Sequence, residues 1–364
     1  MAHIDLDAFA RNFRSSKEFI GFGVKYLAVV KADAYGHGAV ECSRRLESEG
    51  VDWLGVAIPE EGVELRQNGI KAPILCLGSF WPGQEYLVVD YGLTPVVFSQ
   101  FTAECLHRLA VERGLTLDIH VKIDTGMGRV GVRWPDAGRF AKKLAQMSRL
   151  RIVGIMTHFA SADDPAEESF TQLQISRFNE ACDKFQAEGH SPEFFDMANS
   201  PGAIIHPASR GNLVRLGGAL YGLLDDILPL DSTRPKLEPV LSLSSKIADM
   251  KTISTGESLG YGRTFLADRE TIVASIPIGY ADGYPRSLSN RGSVLIHGKY
   301  APIVGRISMD WTLVDVTDVE GANPGDTVTL VGKELTACRL AAETGTIGYE
   351  ITCGISPRVP RVYK

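Results

Sequence analysis

The chain has 364 residues, 44% of them hydrophobic and 23% charged, and a formal net charge of −6. That length is too great for one small core and suggests a large domain with a smaller companion, while the acidic balance and the lack of any basic cluster beyond pairs such as Arg44-Arg45 argue against nucleic acid. The six cysteines (42, 76, 105, 182, 338, 353) show neither a Cys-x-x-Cys pair nor a Cys/His zinc spacing, which predicts reduced thiols and no metal site.

The opening residues Met1-Ala-His-Ile-Asp-Leu-Asp7 carry no basic region and no apolar run of the kind that marks an export signal. No apolar stretch of the chain approaches membrane-spanning length, so a cytoplasmic protein without membrane contact is expected. Residues 3–14 open with a brief alternation and pass into helical spacing, and residues 1–12, which precede the rhythm that follows, are assigned a first strand that pairs with the C-terminal domain. Next comes Tyr26-Leu-Ala-Val-Val-Lys31-Ala-Asp-Ala-Tyr35-Gly36-His-Gly38, an apolar run ending in one lysine and followed by a small-residue turn and a helical pattern. A lysine at the C-terminal lip of a buried strand is a candidate Schiff-base former, because desolvation lowers the pKa of its amine. The bland alternative is a lysine whose stem simply reaches into water.

From there one unit recurs: a short apolar run, a turn, an amphipathic helix. The runs are Leu27–Val30, Trp53–Ile58, Ile74–Leu77, Pro95–Phe98, Asp118–Ile123, Ile152–Met156, Phe194–Met197 and Leu213–Leu216. Helical spacing falls between them at Pro59–Asn68, Ser99–Arg113, Ala137–Ser148 and Phe170–Glu188. Eight such runs predict an α/β chain whose residues 13–234 form a (β/α)8 TIM-type barrel. No Gly-x-Gly-x-x-Gly follows the first strand and no P-loop is present, which removes the nucleotide-binding readings. Near Pro235-Lys-Leu-Glu-Pro239 the texture changes to short alternating runs at Leu241–Met250, Thr271–Ile276, Ser293–Ile296, Trp311–Val316 and Thr327–Val331, with a helix at Thr336–Thr344. Residues 235–364 are therefore expected to form a mostly antiparallel β domain.

Parallel barrels gather function at the C-terminal ends of their strands. Those ends carry Lys31 and Tyr35, then Lys122-Ile-Asp-Thr-Gly-Met-Gly-Arg129, His158, Asn199-Ser200, and Arg215 with Gly217-Gly218. The loops after strands seven and eight are the favoured phosphate site of this architecture, and Ser200 with the Gly217-Gly218 backbone suits an anion. Gly217-Gly218 taken alone reads equally as a tight turn; a lysine on the same rim tips the balance to phosphate. A lysine and a phosphate cradle together imply pyridoxal 5′-phosphate.

The segment Val-Val-Lys31-Ala-Asp-Ala-Tyr35-Gly-His-Gly resembles the cofactor-lysine motif of bacterial alanine racemases. The likeness continues in family order through Lys122–Arg129, Thr157-His158-Phe-Ala, Asn199-Ser200, Val214-Arg215-Leu-Gly-Gly, Gly260-Tyr261-Gly-Arg, Ile278-Gly-Tyr280-Ala-Asp-Gly-Tyr-Pro-Arg286, Gly305-Arg306-Ile-Ser-Met309-Asp310 and Tyr349-Glu350. By this resemblance the chain interconverts L- and D-alanine for peptidoglycan as a homodimer. Lys31 holds pyridoxal 5′-phosphate, and Tyr35, Ser200, Gly217, Gly218 and Tyr349 meet its phosphate, with His158 and Asn199 also at the cofactor. Arg215 faces the ring nitrogen and, always protonated itself, disfavours a proton there.

Racemisation needs a base on each face of the substrate Cα. The resemblance makes Lys31 one and Tyr261, donated with Met309 by the partner chain, the other. An ordinary tyrosine with a pKa near ~10 is a poor base at neutral pH, and lowering it by ~3 units takes about 4 kcal/mol of favourable interaction. Arg129 and the Met309 backbone hold the substrate carboxylate, with Lys122, Tyr280 and Asp310 in support; Lys122 carries a carbamate in some members of the family. Asp163, Arg286 and Arg306 correspond to the substrate entry. Trp311 is bulkier than expected beside the carboxylate site and narrows substrate choice.

Singly, each residue has a plainer reading: His158 as a core histidine, Tyr261 as a turn aromatic, Met309 as domain filler. Their joint order outweighs those readings. Basic amino-acid decarboxylases lack the Gly-Tyr261-Gly segment, and non-catalytic pyridoxal-phosphate carriers lack a second β domain.

Overall fold

A computed structural model describes residues 1–223, 225–228 and 234–364. Eight parallel strands follow one another around a barrel: Lys25–Val29, Trp53–Val56, Ile74–Cys76, Thr94–Val97, Leu117–Asp124, Leu150–Met156, Phe194–Asp196 and Leu213–Leu216. Each lies within a few residues of its expected run. The eighth strand returns to pair with the first, Arg215 opposite Leu27. Between the seventh and eighth strands a side chain supplements sparse backbone bonds: the Asn212 Oδ1 accepts from the Phe195 N–H at 2.7 Å, while the Arg215 N–H donates to the Ala198 carbonyl at 3.0 Å.

Alternation along the fifth strand explains how the barrel becomes polar inside. Ile119, Val121 and Ile123 face one way into the large hydrophobic core, leaving His120, Lys122 and Asp124 on the other face. Across the interior, Leu27, Val29, Leu75, Val96 and Met156 keep the opposite side apolar. Gly154 sits opposite His120 in the register, and a Cβ there would lie 2.3 Å from the imidazole, so the glycine makes room for that ring.

The segment after Lys31 departs from the expected small-residue turn. Ala32, Asp33, Ala34 and Tyr35 all adopt left-handed helical backbone, with φ of 51–55°. Such geometry costs about 1–2 kcal/mol for each non-glycine residue. Local bonds hold it: the Ala32 N–H donates to the Glu61 carboxylate at 2.6 Å, and the Asp33 carboxylate accepts from the Ala39 N–H at 2.7 Å. Gly36, at φ +83°, lets the turn press against the second domain, where a Cβ would meet the Thr352 carbonyl at 2.1 Å.

The assignment of residues 1–12 as strand is corrected. Only Ala2–Ile4 is strand, because the Asp5 side chain accepts from the Ala8 N–H and starts the helix Leu6–Ile20. That strand lies in a six-stranded sheet of the C-terminal region, antiparallel to Leu241–Lys246 and parallel to the closing strand Arg361–Tyr363. The single run expected at Leu241–Met250 is also corrected. It breaks at Ile247-Ala248 into Leu241–Lys246 and Asp249–Ile253, which belong to different sheets. The expected division at 234–235 borders residues 229–233, which lie outside the described residues. Among the described residues all six cysteines are free, and no helix is long and apolar enough to cross a membrane.

Candidate active site

Two groups of side chains meet at the C-terminal mouth of the barrel. One is neutral. Tyr35 packs at a tilt against Tyr221, with ring centroids 4.8 Å apart, and against Tyr349 at 5.5 Å, which aims its hydroxyl at the eighth strand's exit. A Cβ on Gly217 would lie 3.0 Å from the Tyr35 hydroxyl, and one on Gly218 would lie 2.1 Å from that of Tyr349. The Ser200 Oγ accepts from the Gly217 N–H at 2.9 Å. Burial pushes both tyrosine pKa values up, so their hydroxyls stay protonated and available as donors. Three hydroxyls around a backbone bare of side chains suit a phosphate. The Asn199 Oδ1 is engaged in capping Ser200–Ile205, accepting from the Gly202 N–H at 3.1 Å.

The other group is charged. Burial lowers the pKa of the Lys31 amine, Arg129 and Arg215 push it further down, and Glu61 opposes them. Lys122 is brought down to about 8, by burial first and then by Arg215 and Arg129. The His158 pKa falls well below its ordinary value through burial and then Arg215. Its Nδ1 lies 3.2 Å from an Arg215 terminal nitrogen. A guanidinium only donates, so Nδ1 accepts and the neutral ring carries its proton on Nε2. Arg215 is further fixed by the Thr157 carbonyl at 2.9 Å, the Met197 carbonyl at 3.2 Å and the buried Asp196 carboxylate.

Arg129 stands on a loop pinned by Asp124, whose Oδ1 accepts from the Gly126 and Gly128 N–H groups at 3.0 Å each. Among the described residues, no hydrogen bond or ion pair engages its guanidinium, which leaves it open to a carboxylate.

The C-terminal candidates lie elsewhere. Tyr261 is 72% exposed and Met309 53% exposed. Tyr261 lines an open cavity of about 360 Å³ with Gly260, Arg306, Ser308, Trp311 and Leu313, all from its own domain. The charged groups that act most on Lys31, namely Arg129, Glu61 and Arg215, come from the barrel, and Tyr261 is not among them. Met309 is held by its backbone, its carbonyl accepting from the Ala281 N–H at 3.0 Å next to Tyr280. Asp310 pairs with Arg358 at 2.7 Å, and Arg358 in turn pairs with Asp282 at 2.8 Å. Lys31, Tyr35, Lys122, Arg129, His158, Ser200, Arg215, Gly217, Gly218 and Tyr349 thus converge on one mouth, whereas Tyr261, Tyr280, Met309 and Asp310 sit on the second domain's outer surface.

Residues 4–225 match the family model described as alanine racemase, N-terminal domain, and residues 240–363 match the alanine racemase, C-terminal domain. The chain belongs to the alanine racemase family. It is 44% identical over 372 residues to the alanine racemase of Geobacter sulfurreducens, covering 100% of this chain and 96% of that protein. The alanine racemase of Halothermothrix orenii is 42% identical over 370 residues, with the same coverage of 100% and 96%. Among solved structures, alanine racemase from Clostridium difficile 630 superposes with a TM-score of 0.93 at 37% identity, covering 100% of this chain and 95% of that one. The Bartonella henselae alanine racemase, described with covalently bound pyridoxal phosphate, gives a TM-score of 0.91 at 30% identity over 100% and 99% of the two chains. The protein is accordingly an amino-acid racemase acting on alanine.

Three positions beside the site of this alanine racemase family member escaped the sequence reading. Glu61 holds the Ala32 and Ala57 N–H groups at 2.6 Å each and so shapes the turn beyond Lys31. Cys353, the exposed cysteine, lies close enough for Lys31 to act on its thiol. Asp196 was read only as part of an apolar run. A lone carboxylate within a parallel strand needs a buried partner, and that was the available signal.

Proposed function

We propose that the chain interconverts L- and D-alanine with pyridoxal 5′-phosphate held at Lys31, in a cytoplasmic homodimer whose two sites each draw residues from both subunits. The D-alanine formed would supply peptidoglycan synthesis. The observation that carries this reading is the pairing, at one barrel mouth, of a lysine amine with lowered pKa and a three-hydroxyl glycine corner. The residues present fit the cofactor: Tyr35, Ser200, Gly217, Gly218 and Tyr349 would hold the phosphate, and Arg215 would meet the ring nitrogen. When bound, pyridoxal phosphate supplies an electron sink that acidifies the substrate Cα–H.

The chain's own side chains would do the rest. Arg129, unpaired among the described residues, and the Met309 N–H of the partner subunit would fix the substrate carboxylate. That orientation sets the Cα–H bond toward one of two bases, the Lys31 amine on one face and the Tyr261 hydroxyl of the partner subunit on the other. Neutral His158, tied to Arg215, would link that cation to the tyrosine. The exposure of Tyr261 and Met309 in the single chain supports a shared site, since both stand free to enter another subunit.

A mixing experiment tests the sharing. Lys31→Ala and Tyr261→Phe homodimers should each be nearly inactive, and re-equilibrated mixtures should regain about a quarter of wild-type activity, because each heterodimer rebuilds one complete site. Mixtures no more active than the separate variants would contradict a shared site.

The phosphate corner has its own test. Gly218→Ala adds a methyl where the Tyr349 hydroxyl sits, 2.1 Å from the new carbon. Cofactor affinity, followed by titrating apoenzyme with pyridoxal phosphate, should weaken at least about tenfold, ~1.4 kcal/mol. Unaltered affinity would place the phosphate elsewhere.

A further inference from the structure

The Arg215 side chain is 3% exposed and that of Asp196 is fully buried, and the two form an ion pair inside the barrel. The guanidinium is fastened along one edge only. One terminal nitrogen donates to the Asp196 carboxylate and carbonyl; the other meets the Thr157 and Met197 carbonyls and His158. Among the described residues no acceptor meets Nε, which leaves that edge for a ligand. Three of the residues at this edge contribute backbone carbonyls or a neutral ring. Among the described residues Asp196 is the single charged partner that Arg215 has.

The surroundings give that charge weight. Lys31, Lys122, Arg129 and Arg215 all act on His158, and Asp196 is the carboxylate that offsets Arg215 at Lys122. Its second oxygen is buried without a protein partner; burial raises the carboxyl pKa to about 6, and the Arg215 guanidinium and the Lys122 ammonium, rather than a shell of donors, act to hold it down. Removing the carboxylate would leave the guanidinium buried and unbalanced, held only by backbone carbonyls and a neutral imidazole.

We propose that Asp196 is a positioning residue for racemisation: its carboxylate holds one terminal nitrogen of Arg215 so that Nε is presented to the ring nitrogen of the cofactor. The inference rests on the pyridoxal-phosphate reading above. A guanidinium held there keeps the ring nitrogen unprotonated. Once Arg215 turns away, that nitrogen takes a proton from solvent and the competing half-transamination gains. In that side reaction the amino group of alanine passes to the cofactor, alanine is oxidised to pyruvate, and the cofactor aldehyde is reduced to the amine.

The test compares wild type with Asp196→Asn, which keeps an acceptor but not the charge. Two quantities are measured: the affinity of apoenzyme for pyridoxal phosphate, and the pyruvate released per racemisation turnover. The variant should bind the cofactor several-fold more weakly and raise the pyruvate ratio at least about tenfold. Both rates falling together with the ratio unaltered would mark Asp196 as a purely structural residue and overturn the proposal. Should Asp196→Asn not fold, the double variant Asp196→Asn/Arg215→Gln, which removes both charges, keeps the question open to decision. Its ratio should equal that of Arg215→Gln alone, and a clearly higher one would overturn the proposal by showing that Asp196 acts independently. Wild type that neither binds pyridoxal phosphate nor racemises alanine would instead sink the cofactor reading, and this inference with it.

Discussion

Lys31→Ala should lower racemisation in both directions by about 10⁴-fold or more, because one amine performs two tasks. It would anchor the cofactor, and it would exchange the proton on one face of Cα. The site prepares it for both. Burial together with Arg129 and Arg215 lowers the pKa of the amine, enlarging the neutral, nucleophilic fraction at working pH. The left-handed turn at Ala32–Tyr35 then reverses the chain at once, so the residue four positions on returns a hydroxyl to the same mouth. Lys31→Arg should fare little better, since a guanidinium keeps its proton and is a poor nucleophile. The measurement is the initial rate of each direction, with cofactor retention after gel filtration on the same sample. A variant within about tenfold of wild type would remove Lys31 from the chemistry.

Tyr261→Phe should separate the two directions of proton exchange. Loss of the hydroxyl should slow removal of the Cα proton from L-alanine by about 10²–10⁴-fold, the usual span for a general base, while removal from D-alanine falls far less. The asymmetry follows from the arrangement of the fold. Lys31 sits at the end of a barrel strand, whereas Tyr261 projects 72% exposed from the second domain, so the two groups would approach a substrate from different subunits and opposite faces. Solvent-deuterium incorporation into each enantiomer at early times reads the two steps separately. Equal losses would show that Tyr261 supports the site as a whole and is no base of its own.

The barrel was legible because parallel strands buried on both faces read as nearly continuous apolar runs, and the eighth coincides with Leu213–Leu216. The helices expected to open at Ser99 and Thr336 do so, and the side-chain oxygens of those two residues cap Gln100–Glu112 and Ala337–Thr344. Strain and pairing across long separations were not legible. Nothing in Ala32-Asp33-Ala34-Tyr35 announces four left-handed residues, since their support comes from Glu61 and the second domain. The closing strand Arg361–Tyr363 is three residues long and finds its partner at the other end of the chain. At the site, the cations and the Tyr35 and Ser200 hydroxyls were legible because strand ends predict where side chains meet, whereas Tyr349, on a helix of the second domain, came only from the resemblance. Asp196 was hidden by the apolar residues flanking it in Phe194–Asp196, and only the buried pair with Arg215 reveals it. The exposure of Tyr261 and Met309 is equally a property of the folded chain.

The most direct measurement is borohydride reduction of the holoenzyme followed by peptide mapping, with L-alanine turnover recorded on the same preparation. A pyridoxyl adduct on Lys31 alone, formed as turnover is lost, is the predicted result. An adduct on any other lysine, or none in an enzyme that still racemises alanine, would contradict the account.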